Sequence, residues 1–329
     1  MEKKPLGKTG LSVTPVGMGV LTVGRTHLDL PVDEGARIVR TALEAGINFL
    51  DTAECYETYP YIAAAFRDMT KSGGTAADAA RDAVVSSKSL AEDYAGAARA
   101  IEDCRRTLGR DVLDIFLLHE VRQAPDFENR REGAWQAVLD AKAKGRVRAA
   151  GLSTHHIDAT ELAAALPELD VVFTLANFQG LGVRSGAEQG SKEAMAEAIR
   201  RCGEAGKGVY IMKAFGGGNL AADYTEALGY VTALPGVTSV MIGMGGEQDI
   251  RDAVRYFEGN LPRDYRPDVS QKRMHVDQGD CEGCGTCIPR CASGAIRLNA
   301  DGWAEIDLAH CVGCGYCAYA CPVRAIILL

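Results

Sequence analysis

The sequence predicts an α/β protein in two parts, a (β/α)8 TIM barrel and a small C-terminal α+β iron–sulfur domain. Up to about residue 258, short apolar runs alternate with amphipathic helical stretches, which is the pattern of a barrel of parallel strands. Between Cys281 and Cys321, eight of the 11 cysteines fall into two similar runs. We therefore expect the barrel at residues 1–258, a charged, proline-containing linker at 259–273 and the iron–sulfur domain at 274–329.

The barrel prediction depends on eight apolar runs of strand length. They are Val13–Met18, Asn48–Asp51, Ala83–Lys88, Leu113–His119, Val147–Ser153, Val171–Asn177, Val209–Lys213 and Ser239–Met244. Amphipathic stretches such as Glu92–Leu108 separate them and predict helices. A doubly wound sheet is the alternative. It is disfavoured because Gly17-Met18-Gly19 lacks the third glycine of a dinucleotide fingerprint and no helix begins there.

Composition excludes several classes of partner. The formal net charge is −8 with both signs scattered along the chain, whereas nucleic-acid binding needs a basic stripe. No apolar run approaches the roughly 18 residues of a membrane helix. Met1 to Gly10 is polar and lacks the apolar stretch of a signal peptide. We expect a cytoplasmic protein with neither a membrane nor a nucleic-acid partner.

The cysteine runs have the spacing of iron–sulfur ligands. Each reads C-x2-C-x2-C-x3-C, and the fourth cysteine of such a run lies too far along to bind the same cluster, so it binds the other one. This assigns Cys281, Cys284, Cys287 and Cys321 to one [4Fe–4S] cluster and Cys311, Cys314, Cys317 and Cys291 to a second. Zinc, which takes four ligands from two CxxC pairs, does not explain a doubled four-cysteine run.

The two segments also resemble each other, as "CEGCGTCIPRCASGAI" and "CVGCGYCAYACPVRAI". This internal repeat is similar to that of the bacterial two-cluster ferredoxins. Ala292 stands where that family usually has proline, but all eight ligands are present. The resemblance implies a ferredoxin-like fold and single-electron transfer, and exposed clusters of this kind favour an anaerobic setting.

Four polar residues follow neighbouring strands of the predicted barrel. Asp51 ends the second strand, Tyr56 lies in the next loop, and Lys88 and His119 end the third and fourth strands. The carboxyl ends of barrel strands carry the chemistry, so these side chains should meet. Tyr56 could give a proton to a carbonyl oxygen if the Lys88 ammonium lowered its pKa, with Asp51 holding Lys88. His119 could orient the carbonyl.

This constellation resembles the aldo-keto reductases. The segments "PLGKTGLSVTPVGMG", "FLDTAECY", "VVSSK", "LDIFLLHE" and "GRVRAAGLS" follow the pattern of that family across the barrel. The resemblance implies reduction of a small aldehyde or ketone, or oxidation of an alcohol, with NAD(P)H. It also implies that Tyr56 is the acid and that Asp51, Lys88 and His119 support it.

The positions that would bind the nicotinamide cofactor depart from the family. Ser153-Thr154 replaces the usual Ser-Asn, Phe173 replaces a glutamine, and Lys213 stands where a tyrosine often stacks on the ring. The last loop has no basic residue for a 2′-phosphate, so NADH is favoured over NADPH. The candidate nucleotide contacts are Ser153, Thr154, Asn177, Lys213, Gly216, Gly217, Gly218, Met244, Gly245 and Gly246, although the glycines could equally serve as tight turns.

Electron counting leaves three arrangements open. Nicotinamide delivers two electrons as a hydride, whereas a [4Fe–4S] cluster transfers one at a time. Either nicotinamide works apart from the clusters, or a flavin mediates, or the clusters feed the substrate directly while Tyr56 protonates a ketyl radical. A ferredoxin or a reductase would be the electron donor. A different class of function is an electron-transfer or redox-sensing subunit whose barrel docks a partner or nucleotide without turnover.

Overall fold

The computed structural model describes all 329 residues, and its largest element is a closed barrel of eight parallel strands. An antiparallel hairpin of β1 (Lys4–Pro5) and β2 (Ser12–Val13) precedes it. The barrel strands are β3 (Val16–Gly19), β4 (Phe49–Asp51), β5 (Val84–Ser89), β6 (Leu113–Leu118), β7 (Val147–Thr154), β8 (Val171–Leu175), β11 (Gly208–Met212) and β12 (Val237–Gly243); a short hairpin, β9 (Arg184–Ser185) and β10 (Glu188–Gln189), follows β8. Each predicted strand overlaps one of the eight, so the predicted barrel is confirmed.

Ten helices surround the barrel. They are α1 (Val32–Glu44), α2 (Tyr59–Ser72), α3 (Gly74–Asp82), α4 (Tyr94–Leu108), α5 (Ala124–Arg130), α6 (Gln136–Ala143), α7 (Ile157–Ala165), α8 (Lys192–Glu204), α9 (Tyr224–Ala233) and α10 (Glu247–Phe257). The sequence sets their ends locally: Asp93 accepts a hydrogen bond from the Gly96 amide at the start of α4, and Gly109, with φ of 65°, ends it. None of the helices is both long and apolar enough to cross a bilayer.

Hydrophobic packing fills both the inside and the outside of the barrel. The hairpin residues Leu6, Leu11 and Val13 form a small core with side chains inside the barrel, such as Phe49 and Tyr210. A larger core lies between the strands and the helices. With one end of the barrel closed by the hairpin, the side chains at the carboxyl ends of the strands remain available for a site.

The cysteine-rich part forms its own small core over the carboxyl ends of the barrel strands. Two antiparallel pairs, β13 (Met274–Val276) with β16 (Ile326–Leu328) and β14 (Ile296–Leu298) with β15 (Ala304–Ile306), and one short helix, α11 (Tyr316–Ala320), build it. It is anchored to the loop after β3: His275 Nε2 lies 2.6 Å from the Thr26 carbonyl, and His27 Nε2 lies 3.2 Å from an Asp277 oxygen.

The segment between α10 and β13 is packed against the barrel. The ring of Tyr265 meets the Tyr224 ring edge-on at 5.7 Å, and its hydroxyl donates a hydrogen bond to Asp252. These contacts fix the path by which the chain returns to the top of the barrel.

Candidate active site and cluster cavities

The four predicted catalytic residues converge at the carboxyl ends of β4, β5 and β6. Lys88 is 1% exposed, and its Nζ lies 2.7 Å from Asp51 Oδ2 and 2.7 Å from the Thr52 carbonyl oxygen. The Tyr56 hydroxyl lies 3.3 Å from His119 Nε2. Lys88 Nζ is 4.7 Å from the centre of the Tyr56 ring. A phenol, an imidazole and an ion pair thus surround one small volume.

Burial sets the protonation of this group. It raises the pKa of Tyr56 well above its ordinary value of about 10, and the nearby Asp51 carboxylate acts in the same direction. Burial, with the charge of Lys88, lowers the pKa of His119 well below 6.5. We expected Lys88 to acidify Tyr56. The structure instead has the Lys88 ammonium bound by Asp51 and the Thr52 carbonyl, so Tyr56 stays protonated beside a neutral imidazole.

Tyr56, Lys88 and His119 border a cavity of about 160 Å³, and part of its wall comes from the C-terminal domain. Asp277, Gly279 and Asp280 form that wall, and Cys281 is the next residue along the chain. Nothing in the sequence indicates which barrel face the second domain covers, so this wall could not be predicted from it. Two further residues without a predicted role, Glu120 and His155, line the cavity from the ends of β6 and β7. The rule that chemistry lies at strand ends could have found both.

Cys55 reaches the same cavity, and its sulfur lies 3.6 Å from His119 Nδ1. A cysteine beside a histidine suggests a nucleophilic pair. Here desolvation raises the pKa of the Cys55 thiol to about 11, and the neutral His119 provides no positive charge that would stabilise a thiolate. The contact therefore does not create an activated thiol.

Several of the predicted nucleotide contacts are occupied by bonds within the barrel. Ser153 Oγ accepts from the Glu120 amide, and Thr154 Oγ1 accepts from the His156 amide. The Asn177 amide group bonds the backbone of Leu181 and is fully buried. Likewise, Met244 is buried in the core, and the Gly245 amide donates to Asp249 in the first turn of α10. Gly246 is the exception, since a side chain there would meet only open space.

The C-terminal strand covers two of the remaining contacts, Gly217 and Gly218. The Leu328 amide donates to the Gly217 carbonyl at 2.8 Å, and a methyl group added to Gly217 would come within 2.6 Å of Ile327. Gly216 packs against leucine side chains, and Gly218 faces the Leu328 backbone. Lys213 forms an ion pair with Asp280. Strand β16 thus lies on the loop that would hold a pyrophosphate, and the residues present do not fit a nicotinamide dinucleotide.

The positions of the cysteines suit clusters rather than single ions. Cys281, Cys284, Cys287 and Cys321 line one small cavity, and the Ala304 amide donates to the Cys281 sulfur at 3.3 Å. Cys317 lies near Cys291 and Cys314, so the fourth cysteine of each run approaches the other run. No three His, Cys, Asp or Glu side chains converge on one point, as a zinc centre requires. A cubane instead bonds each cysteine to a different iron, and these residues fit it.

Comparison with known proteins agrees with both halves of this description. The sequence model described as "Aldo/keto reductase family" matches residues 15–228, and that described as "4Fe-4S binding domain" matches residues 304–327, which include the second cysteine run. The 6-dehydroglucose reductase of Novosphingobium aromaticivorans is 29% identical over 191 residues, which cover 50% of this chain and 59% of that enzyme.

Two further proteins cover most of the barrel. The pyridoxal 4-dehydrogenase of Microbacterium luteolum is 21% identical over 329 aligned residues, covering 80% of this chain and 95% of that enzyme. A solved structure from Pseudomonas aeruginosa, assigned to the aldo-keto reductases, superimposes with a TM-score of 0.64 at 22% identity, covering 79% of this chain and 96% of that one. At this identity the likeness shows the fold alone.

Proposed function

Because this chain belongs to the aldo/keto reductase family and carries a 4Fe–4S binding domain, we propose that it interconverts a carbonyl and an alcohol with electrons from two [4Fe–4S] clusters. One observation carries the proposal: Asp277, Gly279 and Asp280, directly before Cys281, form a wall of the cavity that holds Tyr56. A cluster on Cys281 would therefore lie beside the reacting carbonyl.

The clusters, when bound, supply single electrons. Reducing a carbonyl to an alcohol takes two electrons and two protons, so two clusters can together hold the electrons for one turnover. Tyr56 gives one proton to the carbonyl oxygen, and the neutral His119 passes a proton from solvent back to the phenol through their hydrogen bond. The second proton, which goes to the carbonyl carbon once the second electron has arrived, comes from water. The Asp51–Lys88 pair keeps a positive charge near the developing negative charge on oxygen. In the oxidative direction the same groups act in reverse.

The two clusters would have different positions along the electron path. Asp280, directly before Cys281, lines the active-site cavity, whereas no residue from Cys311 to Cys321 does, and Cys314 is exposed. Large apolar side chains nearby are also exposed, with Val312 at 74% and Tyr316 at 67%. We place the entry point there, for a ferredoxin or a reductase as the electron donor. Cys281, Cys284, Cys287 and Cys321 would hold the cluster that supplies electrons to the substrate.

The covered glycine loop and the occupied Lys213 favour this scheme over the two alternatives with a nucleotide. NADH, which the loop after β12 suggests more than NADPH, would need the surface on which β16 lies. A flavin mononucleotide would need the same loop for its phosphate. A docking or sensing barrel has no use for the Tyr56–His119 pair.

The experiment reduces the clusters of the anaerobic holoprotein with dithionite, removes the excess, and adds a panel of aromatic and aliphatic aldehydes and ketones. Recovery of the cluster absorbance reports electron transfer to the carbonyl. Tyr56→Phe should slow that recovery by about 10²–10⁴-fold for the productive compound, because the proton donor is lost. Equal rates in both proteins would reject Tyr56 as the acid. A panel that never reoxidises the clusters would favour the electron-transfer subunit.

A further inference from the structure

A second cavity of about 250 Å³ lies beside the active site. Tyr56, Met212 and Leu21 line both cavities, as do Lys213 and Asp277. The larger cavity therefore begins where the smaller one ends, with the phenol of Tyr56 between them. In the barrel it occupies the region that a nicotinamide cofactor would use, beneath the C-terminal strand.

The walls of this cavity are mainly aromatic and aliphatic. The barrel contributes Phe173, Phe215, Tyr224 and Ile242, among other residues. The roof comes from the C-terminal strand and the linker, through Ile327, Leu328 and Pro267. Since Leu328 is hydrogen-bonded to Gly217, the roof is part of the packed structure and closes the cavity toward the glycine loop.

The charged groups on the walls already have partners. Lys213 pairs with Asp280, and Lys88 pairs with Asp51. His27 lies 3.2 Å from Asp277, and Lys272 lies 4.0 Å from Asp249. The remaining carboxylate, Asp252, accepts hydrogen bonds from Tyr265 and Gln248. The Lys272 ammonium makes no hydrogen bond, but the walls carry four aspartate carboxylates against two lysines, so a pyrophosphate would be repelled, whereas an uncharged apolar group would lose little by entering.

We propose that this cavity binds the apolar, ring-bearing part of the substrate, with the reacting carbonyl or alcohol carbon at Tyr56. The inference rests on the proposed function, because Tyr56 fixes which end of the substrate reacts. In another protein an apolar cavity of about 150 Å³ holds one benzene ring, so 250 Å³ accommodates roughly ten carbon atoms. The substrate class is thus an aryl or alicyclic ketone, aldehyde or alcohol with one or two rings, rather than a free sugar.

The test is calorimetric titration of the anaerobic holoprotein with 2-acetylnaphthalene, in the absence of any electron donor. D-glucose, NADH and NADPH are titrated in parallel, and the purified protein is assayed for bound flavin. We expect 2-acetylnaphthalene to bind and the other three to show no saturable binding. Ala221 lines the cavity and Ala222 does not, so Ala221→Trp should weaken binding at least tenfold while Ala222→Trp leaves it unchanged.

Several results would overturn the inference: saturable binding of NADH or NADPH, flavin retained after purification, or equal affinity in Ala221→Trp and wild type. If the unfolding temperature of Ala221→Trp differs from that of wild type, Ala221→Leu is used in its place. Binding is measured without turnover, so the titration remains a valid test of the cavity even if Tyr56 is not the acid. Conversely, clusters reoxidised by small aliphatic carbonyls without binding of 2-acetylnaphthalene would reject the cavity assignment alone.

Discussion

Lys213, the first residue after β11, forms a largely buried ion pair with Asp280, the residue directly before Cys281. The two side chains are 18% and 15% exposed. Burial acts to lower the pKa of Lys213, but the Asp280 carboxylate raises it above its ordinary value, so the lysine is charged. This one contact holds the Cys281 loop against the active site.

Removing one partner of this pair should destabilise the protein. Lys213→Met leaves the Asp280 carboxylate buried without a partner, which costs about 3 kcal/mol in comparable buried pairs. The free energy of unfolding of the holoprotein in denaturant measures this cost. The double variant Lys213→Met/Asp280→Asn, which removes both charges, should recover most of it. Additive losses in the double variant would mean that the two residues act independently.

The assignment of the cysteines to two clusters predicts a pattern of iron loss. Removing Cys281 together with Cys321 should cost one cluster, because both belong to the same one. Removing Cys281 together with Cys291 should cost both clusters. Alanine variants assayed for iron and acid-labile sulfide, with wild type as the reference, separate these cases. If Cys281 and Cys291 together cost only one cluster, each run binds its own cluster without crossing.

The thiol of Cys55 should behave as an unactivated cysteine. With a pKa of about 11, its alkylation rate by iodoacetamide should rise about tenfold for each pH unit up to roughly pH 10. The alkylation rate of glutathione in the same tube should level off above about pH 9, because an ordinary thiol titrates near 8.5. Peptide mass spectrometry follows the Cys55 adduct. A plateau below pH 8 would reveal a thiolate stabilised by His119 and contradict the electrostatic description.

The rate of carbonyl-driven cluster reoxidation should change little between about pH 7 and pH 9. Tyr56 loses its proton only as the pH rises through its own pKa, which burial places well above 10. His119 gains a proton only as the pH falls through a pKa well below 6.5. Both groups therefore keep their working protonation states across this range. A loss of rate with a midpoint below pH 9 would show that Lys88 acidifies the phenol after all.

The sequence was sufficient for the barrel because local patterns determine it. Eight apolar runs and the amphipathic helices between them identify the strands, and the rule for strand ends brings Asp51, Lys88 and His119 together. What it could not give is the packing of one domain on the other. From the sequence alone, Gly217 could bind a phosphate. Only the position of Leu328 in the structure shows that its loop is covered. The pKa of Tyr56 likewise depends on burial, which the spacing of residues does not reveal.

The central claim is that clusters, and not a nicotinamide, supply the electrons. The most direct test adds NADH and then NADPH to the oxidised holoprotein without oxygen and follows the visible iron–sulfur absorbance, with dithionite added last. We predict that neither nucleotide bleaches the absorbance and that dithionite does. Bleaching by either nucleotide at a rate compatible with turnover would contradict the account and would mean that the surface covered by β16 opens to admit a dinucleotide.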